Sequence, residues 1–256
     1  MTSGRFDLRG KVAIVTGGNG GIGLGIARGL ADAGSDIAVV GRNEAKSSAA
    51  VTDLEARGIR AIAVAADVTD KAAVAAMVAR AASELGRVDI LVNNAGINIL
   101  KPPHMLELEE WGSVIDTNLT SAFLCSKAVY PAMKQAGGGK IINIGSMMSI
   151  FGASFAPAYA ASKGGIVQFT RSCACAWAAD NIQANAILPG WIDTDLTKRA
   201  REQIDGLHDR VLARTPAARW GAIDDFAGIA VFLASSASDF VTGTAIPVDG
   251  GFSIMG

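Results

Sequence analysis

The chain has 256 residues, half of them hydrophobic and 18% charged, and its 23 basic and 24 acidic side chains leave a formal net charge of −1. That composition is too apolar for disorder and long enough to bury one large α/β domain without requiring two. Interleaved, near-neutral charge gives no footprint for nucleic acid or for an anionic membrane. The charged opening "MTSGRFDLRGK" lacks the apolar core of a signal peptide, and no apolar run approaches the roughly 18 residues of a spanning helix. A cytoplasmic chain with a small-molecule partner is the expectation.

In chain order, "KVAIVTG" (11–17) reads as a strand ending in glycine, and "GIGLGIARGLADAG" (21–34) as the helix after it. The alternation repeats with strands at 36–41, 60–67 and 88–96 and helices at 43–57 and 70–85. Further strands, "KIINIGS" (140–146), "IQANAILPG" (182–190) and "TAIPVDGG" (244–251), are separated by long helical stretches. Strands so continuously apolar are covered on both faces, as in a parallel sheet flanked by helices. No repeat or linker divides residues 1–256, so one domain is expected. The polar stretch 191–215 is read as a flap of one or two helices over the sheet's carboxyl edge, where open α/β sheets bind ligands. Cys125, Cys173 and Cys175 lack CxxC spacing, and His104 and His208 lie far from them. Buried free thiols, with no metal, are the expectation.

The turn "TGGNGGIG" (16–23) stands between first strand and first helix, the setting of a dinucleotide site. Gly17 suits the tight turn, Gly21 the approach of a pyrophosphate and Gly23 close packing, with Asn19 and Ile22 in the same turn. The helix start offers free N–H groups and a positive dipole end. Where an NAD site presents an acid about 20 residues on, the second strand ends in Gly41 and Arg42. Glycine leaves room and the guanidinium can hold a 2′-phosphate, which favours NADP over NAD; a solvated arginine opening the next helix is the alternative. Asp67 and Val68, Asn94, Ala95 and Gly96, and Pro189, Gly190, Ile192 and Thr194 follow strands on the same edge. Asp67 can accept from an adenine amino group.

"SFAPAYAASKGG" (154–165) sets Tyr159 and Lys163 four residues apart on one helix face. A lysine charge about 4 Å from a phenolate is worth about 4 kcal/mol at an effective dielectric of ~20, or roughly three pK units. That shift would bring the phenol near pH 7, where acid–base catalysis is efficient. Ser146, at the end of the fifth strand, can hydrogen-bond a substrate oxygen shared with Tyr159, and Asn118 can hold a water linking Lys163 to solvent. Taken singly, Ser146 could cap a strand and Asn118 could start a helix.

With these motifs together, TGxxxGxG at 16–23, NNAG at 93–96, Asn118, Ser146, YxxxK at Tyr159 and Lys163, and the PG turn at 189–190, the chain resembles the short-chain dehydrogenase/reductase family over nearly its whole length. The resemblance implies a seven-stranded Rossmann fold, a nicotinamide cofactor and a homotetramer packed through the long helices. It casts Tyr159 as general acid/base, Lys163 as its pKa depressor and ribose ligand, Ser146 as substrate positioner and Asn118 as relay anchor. Within the family, "GKIINIGSMMSIFG" and "NIQANAILPGWIDTDL" look most like gluconate 5-dehydrogenases and 2-deoxygluconate 3-dehydrogenases, which implies a sugar acid or polyol. The expected pocket lining of Met147, Met148, Phe151, Phe155 and Trp191 is largely apolar, with Lys101, His104, Arg199 or Arg201 left to pair with a carboxylate. Two alternatives stay open: a 3-oxoacyl-thioester or bulky-ketone reductase, and a cofactor-binding sensor without catalysis.

Overall fold

The strands that form are β1 (Val12–Thr16), β2 (Asp36–Val40), β3 (Ala61–Val64), β4 (Ile90–Asn93), β5 (Gly139–Ile144), β6 (Ile182–Pro189) and β7 (Ala245–Val248). In the computed structural model, which describes residues 4–255 and omits the side chains of Leu196 and Arg199, they make one sheet in the order β3-β2-β1-β4-β5-β6-β7. Every neighbouring pair is parallel. Parallel pairing demands long crossovers, and helices supply them. These are α1 (Gly21–Asp32), α2 (Glu44–Glu55), α3 (Lys71–Leu85), α4 (Leu108–Ile115), α5 (Ser121–Gln135), α6 (Pro157–Trp177), α7 (Asp195–Gln203), α8 (Leu207–Arg214) and α9 (Ala227–Ala234).

All five residues of β1 and all eight of β6 are buried, as central strands covered on both faces must be. One core layer sets Ile26 and Leu30 of α1 with Leu233 of α9 and Phe226 against the sheet; the other sets Val74 and Met77 of α3 with Val129 and Met133 of α5. Edge strand β7 carries Pro247, whose missing N–H an edge tolerates.

Strand order reverses between β1 and β4, and the crevice that opens beyond their carboxyl ends is where such sheets take ligands. Several expected strands end early. β3 stops at Val64, three residues before Asp67, and β5 at Ile144, two before Ser146, so both side chains stand on loops past the sheet. The stretch 191–215 holds α7 and α8, whose Ala200, Leu207 and Val211 pack against Leu100, Trp191 and Trp220. Cys125 and Cys173 are buried; Cys175, expected buried, is exposed on α6 because its side chain faces away from the sheet.

Candidate active site

The groove at the switch point is built by three hydrogen bonds from one hydroxyl. Thr16 Oγ1, at the end of β1, donates to Val92 O at 3.2 Å and accepts from the N–H groups of Asn94 (3.0 Å) and Ala95 (3.1 Å), tying two strand ends together. Asn94 Nδ2 returns to Thr16 O and Gly17 O at 3.0 and 3.1 Å. Gly17 turns with φ of 63°, in the left-handed region that favours glycine, and a Cβ on Gly23 would collide with Gly17 O and Asn94 Nδ2. The chain can therefore enter α1 only with glycines there. No side chain caps α1, so its first N–H groups are free.

The resulting cavity, about 460 Å³, is walled on one side by Gly17, Asn19, Gly21 and Ile22 with Asn94, Ala95 and Gly96. Its far wall is Pro189, Gly190, Ile192 and Thr194, with Ser146, Tyr159 and Lys163 at the end. Past Gly17 and Ala95 it continues into a hollow of about 530 Å³ that holds Gly41, Arg42, Asp67 and Val68. A Cβ on Gly41 would strike the Asn19 amide, which itself donates to Ser47 Oγ at 3.0 Å, so only glycine lets the turn approach the end of β2. Thr69 N–H and hydroxyl, at 2.9 and 2.7 Å, hold the Asp67 carboxyl below the usual range, with nearby Arg42 adding to the effect. Asp67 Oδ1 is occupied by them. Lys46, one turn beyond Arg42 on α2, lines the same hollow, a second cation that sequence reading missed although its i, i+4 spacing from Arg42 was visible. A trough with glycine floors, an uncapped helix start and two cations at one end fits a dinucleotide.

At the other end three side chains converge. Ser146 caps a short turn over Met147–Ser149, its hydroxyl accepting from Met148 N–H at 3.1 Å. Ser149 Oγ donates to Lys163 O at 2.6 Å and accepts from Ser146 N–H at 3.1 Å, clamping the β5 end to α6. Tyr159 and Lys163 stand one helical turn apart, but the ammonium does not reach for the phenol. Lys163 is buried, its Nζ donates to Ile144 O at 2.7 Å, and it lies 5.6 Å from the centre of the Tyr159 ring. Burial drives the Lys163 pKa down to about 8. Burial also raises that of Tyr159, the Ser146 hydroxyl pulling weakly the other way. Lys163 thus holds the end of β5 through Ile144 O and stands off the Tyr159 hydroxyl, and burial is the leading cause of the upward direction at Tyr159.

Asn118 lies in a π-helical turn over Asp116–Thr120 between α4 and α5. Its buried amide accepts from Ile97 N–H at 2.8 Å and donates to Ile97 O (2.9 Å) and Ser162 Oγ (3.1 Å), while Ser162 donates to Tyr159 O at 2.8 Å. Both amide donors are used, and Asn118 meets Tyr159 through Ser162. A π-turn is typical of functional helix sites and had no signal in the apolar periodicity.

A smaller cavity of about 80 Å³ opens from the same point, sharing Ser146, Tyr159, Gly190 and Thr197 with the groove. Met147, Met148, Phe155 and Trp191 line it as expected; Asn98, Leu100, Thr197 and Ala200 were not foreseen. Phe151 is elsewhere. Its ring packs against Phe252 and under the Arg214 guanidinium, 4.9 Å away, because the Met147–Ser149 turn swings it outward. Two of the expected carboxylate partners are spent: Lys101 pairs with Glu110 at 2.6 Å, and Arg201 pairs with Asp193 while stacking on Trp220. His104 is exposed on a short turn, and the Arg199 side chain lies outside the described residues. Among the described residues no His, Cys, Asp and Glu cluster could hold a metal ion, and no helix is long and apolar enough to cross a membrane.

Residues 17–253 match the family described as Enoyl-(Acyl carrier protein) reductase. The chain is 45% identical over 255 residues to the 2-dehydro-3-deoxy-D-gluconate 5-dehydrogenase of Dickeya dadantii, covering 98% of this chain and 99% of that one. It is 38% identical to the gluconate 5-dehydrogenase of Gluconobacter oxydans, with 97% of each covered. Among solved structures it is similar to a gluconate 5-dehydrogenase of Burkholderia cenocepacia in complex with NADP and tartrate, at a TM-score of 0.93, 40% identity and 99% coverage of both chains.

Proposed function

The chain belongs to the short-chain dehydrogenase/reductase family, NAD(P)-dependent oxidoreductases acting on CH–OH donors, and from that premise we propose that it interconverts a ketone and a secondary alcohol on a sugar acid or polyol, with NADP(H) as its cofactor. The observation that carries this reading is the placement of Ser146 and Tyr159 on both cavities at once, where a bound cofactor and a substrate would meet.

The cofactor, when bound, supplies or accepts the hydride. Everything else falls to the chain. Tyr159, held protonated by its raised pKa, gives its hydroxyl proton to the carbonyl oxygen during reduction and takes one back during oxidation. Ser146 holds that oxygen beside the phenol, its position fixed through Ser149. Lys163, charged below about pH 8, spends one donor on Ile144 O and has two left for a ribose hydroxyl and a water toward solvent. Asn118 anchors that path by locking the Ile97 loop and, through Ser162, the Tyr159 carbonyl. Arg42 with Lys46 favours a 2′-phosphate, which supports NADP over NAD. Helices α7 and α8 serve as the substrate cover.

Exposed Leu108, Trp111 and Phe123 on α4 and α5 are apolar surface that self-association would remove from water, which supports a homotetramer, taken here as cytoplasmic. The apolar walls of the inner cavity favour one second reading, reduction of bulky uncharged ketones. Steady-state reduction of 5-keto-D-gluconate, acetoacetyl thioesters and bulky ketones, each with NADPH and NADH, tests both. The sugar-acid reading expects turnover of 5-keto-D-gluconate with NADPH preferred; turnover confined to the thioester or the apolar ketones overturns it.

A further inference from the structure

The two walls of the cofactor groove meet through a pair of opposite charges. Asp195, the first residue of α7, lines the groove, and its carboxylate lies 3.8 Å from the Lys46 ammonium on α2. Lys46 lines the adjoining hollow beside Gly41 and Arg42. The same two walls also approach at Gly21, where a Cβ would stand 3.5 Å from Thr194 Cγ2. The start of the cover helix is therefore tied to one of the two cations that the hollow offers to an anion.

Those cations face different acids. The acid near Arg42 is Asp67, and its Oδ1 already accepts from the Thr69 N–H and hydroxyl on the loop after β3. Asp195 comes from the opposite wall. Among the described residues Lys46 is the one ion-pair partner of Asp195, and Asp195 the one ion-pair partner of Lys46. At 62% and 77% exposure the two side chains sit in water, where such a pair is weak and yields to a stronger competitor. A phosphate monoester is one, with a charge of about −1.5 to −2 and three acceptor oxygens. A ribose 2′-hydroxyl carries no charge and leaves the pair as it stands.

We propose that Asp195 is a specificity-determining residue of the cofactor site, competing with a 2′-phosphate for the Lys46 ammonium and so holding down the preference for NADP(H) that Arg42 and Lys46 create. This rests on the NADP reading above and adds to it a residue that works against it. Two anions that share one ammonium weaken each other's hold on it by the same factor, so removing the carboxylate tightens the phosphorylated cofactor alone.

Calorimetric dissociation constants for NADPH and NADH test this in the wild type, Asp195→Asn, Lys46→Met and the double variant. Low ionic strength is used because it screens an exposed pair least. Asp195→Asn is expected to tighten NADPH about 3–5-fold and to leave NADH within about 1.5-fold, and in the Lys46→Met background the same change should move NADPH by no more than about 1.5-fold. An equal shift for both cofactors places the effect of Asp195 on parts they share and overturns the proposal. So does weaker NADPH binding in Asp195→Asn, or an Asp195→Asn effect that survives undiminished without Lys46. A wild type that binds NADH more tightly than NADPH overturns the NADP reading instead, and the shift of NADPH in Asp195→Asn still decides the competition for Lys46.

Discussion

Replacing Lys163 with Met should yield a protein that is more stable at neutral pH and inactive. The Lys163 ammonium is buried beside Tyr159 at the end of the groove with Ile144 O as its hydrogen-bond partner, and burial takes its pKa from the ordinary 10.5 to about 8. Between those two values the folded state binds fewer protons than the unfolded state, so stability rises with pH across that window. Below about pH 8 both states are protonated and the folded chain carries the full desolvation cost, about 3 kcal/mol at roughly 1.4 kcal/mol per pH unit. Met fills a similar volume with nothing to desolvate. It strands the Ile144 carbonyl, which costs about 1–2 kcal/mol, leaving a net gain of about 1–2 kcal/mol. Urea unfolding from pH 7 to 10, followed by tryptophan fluorescence, reads this directly. The gap between variant and wild type should be widest at pH 7 and shrink toward pH 10, above which Tyr159, with its raised pKa, adds an opposite slope. A gap that does not change with pH, or a variant less stable than wild type at pH 7, would refute the desolvation argument.

Tyr159→Phe removes the phenol proton donor at the junction of the two cavities and should lower kcat by about 10²–10⁴-fold, while fluorescence titration finds cofactor affinity within threefold of wild type. Because Tyr159 rests protonated, ketone reduction should be nearly flat in rate from pH 6 to 8 and alcohol oxidation should climb over the same range; parallel profiles would contradict the assigned protonation state. Arg42→Ala should weaken NADP(H) binding about 10–100-fold and leave NAD(H) unchanged, measured by calorimetry with both cofactors. Ala218 holds φ of 51°, which costs a residue with a Cβ about 1–2 kcal/mol. Ala218→Gly should therefore raise stability by about 0.5–1 kcal/mol after the glycine's larger unfolded-state entropy is deducted, read as a higher urea midpoint.

Features set by residues close in sequence were legible before the structure. Apolar runs such as "VAIVT" give central strands, and Gly17 and Gly23 are demanded by a turn made of their own neighbours. The spacing of Tyr159 and Lys163 on α6 is likewise a property of one helix. What escaped depends on contacts between distant segments. Lys163 has a stem long enough to serve either Tyr159 or β5, and the choice is made by how closely α6 lies on the end of β5, which local spacing does not encode. Lys101 and Arg201 looked free because their acids, Glu110 and Asp193, come to them only when the loop after β4 and the turn before α7 fold. Phe151 was misplaced for a related reason: the short turn over Met147–Ser149 carries its ring onto Phe252, away from the cavity.

These misses share a direction. Sequence spacing brought the reactive groups together correctly but overestimated how much charge they could spend on one another. In the folded chain the lysines and arginines near the reaction point are claimed by Ile144 O, Glu110 and Asp193. The smaller cavity is left with apolar walls of Leu100, Met147, Met148, Phe155, Trp191 and Ala200, while Lys163 keeps its charge at the end of the groove below about pH 8. A raised pKa makes Tyr159 a weaker acid but keeps it protonated at neutral pH, so the phenol is in place as the donor for ketone reduction and has to lose its proton before it accepts one in alcohol oxidation.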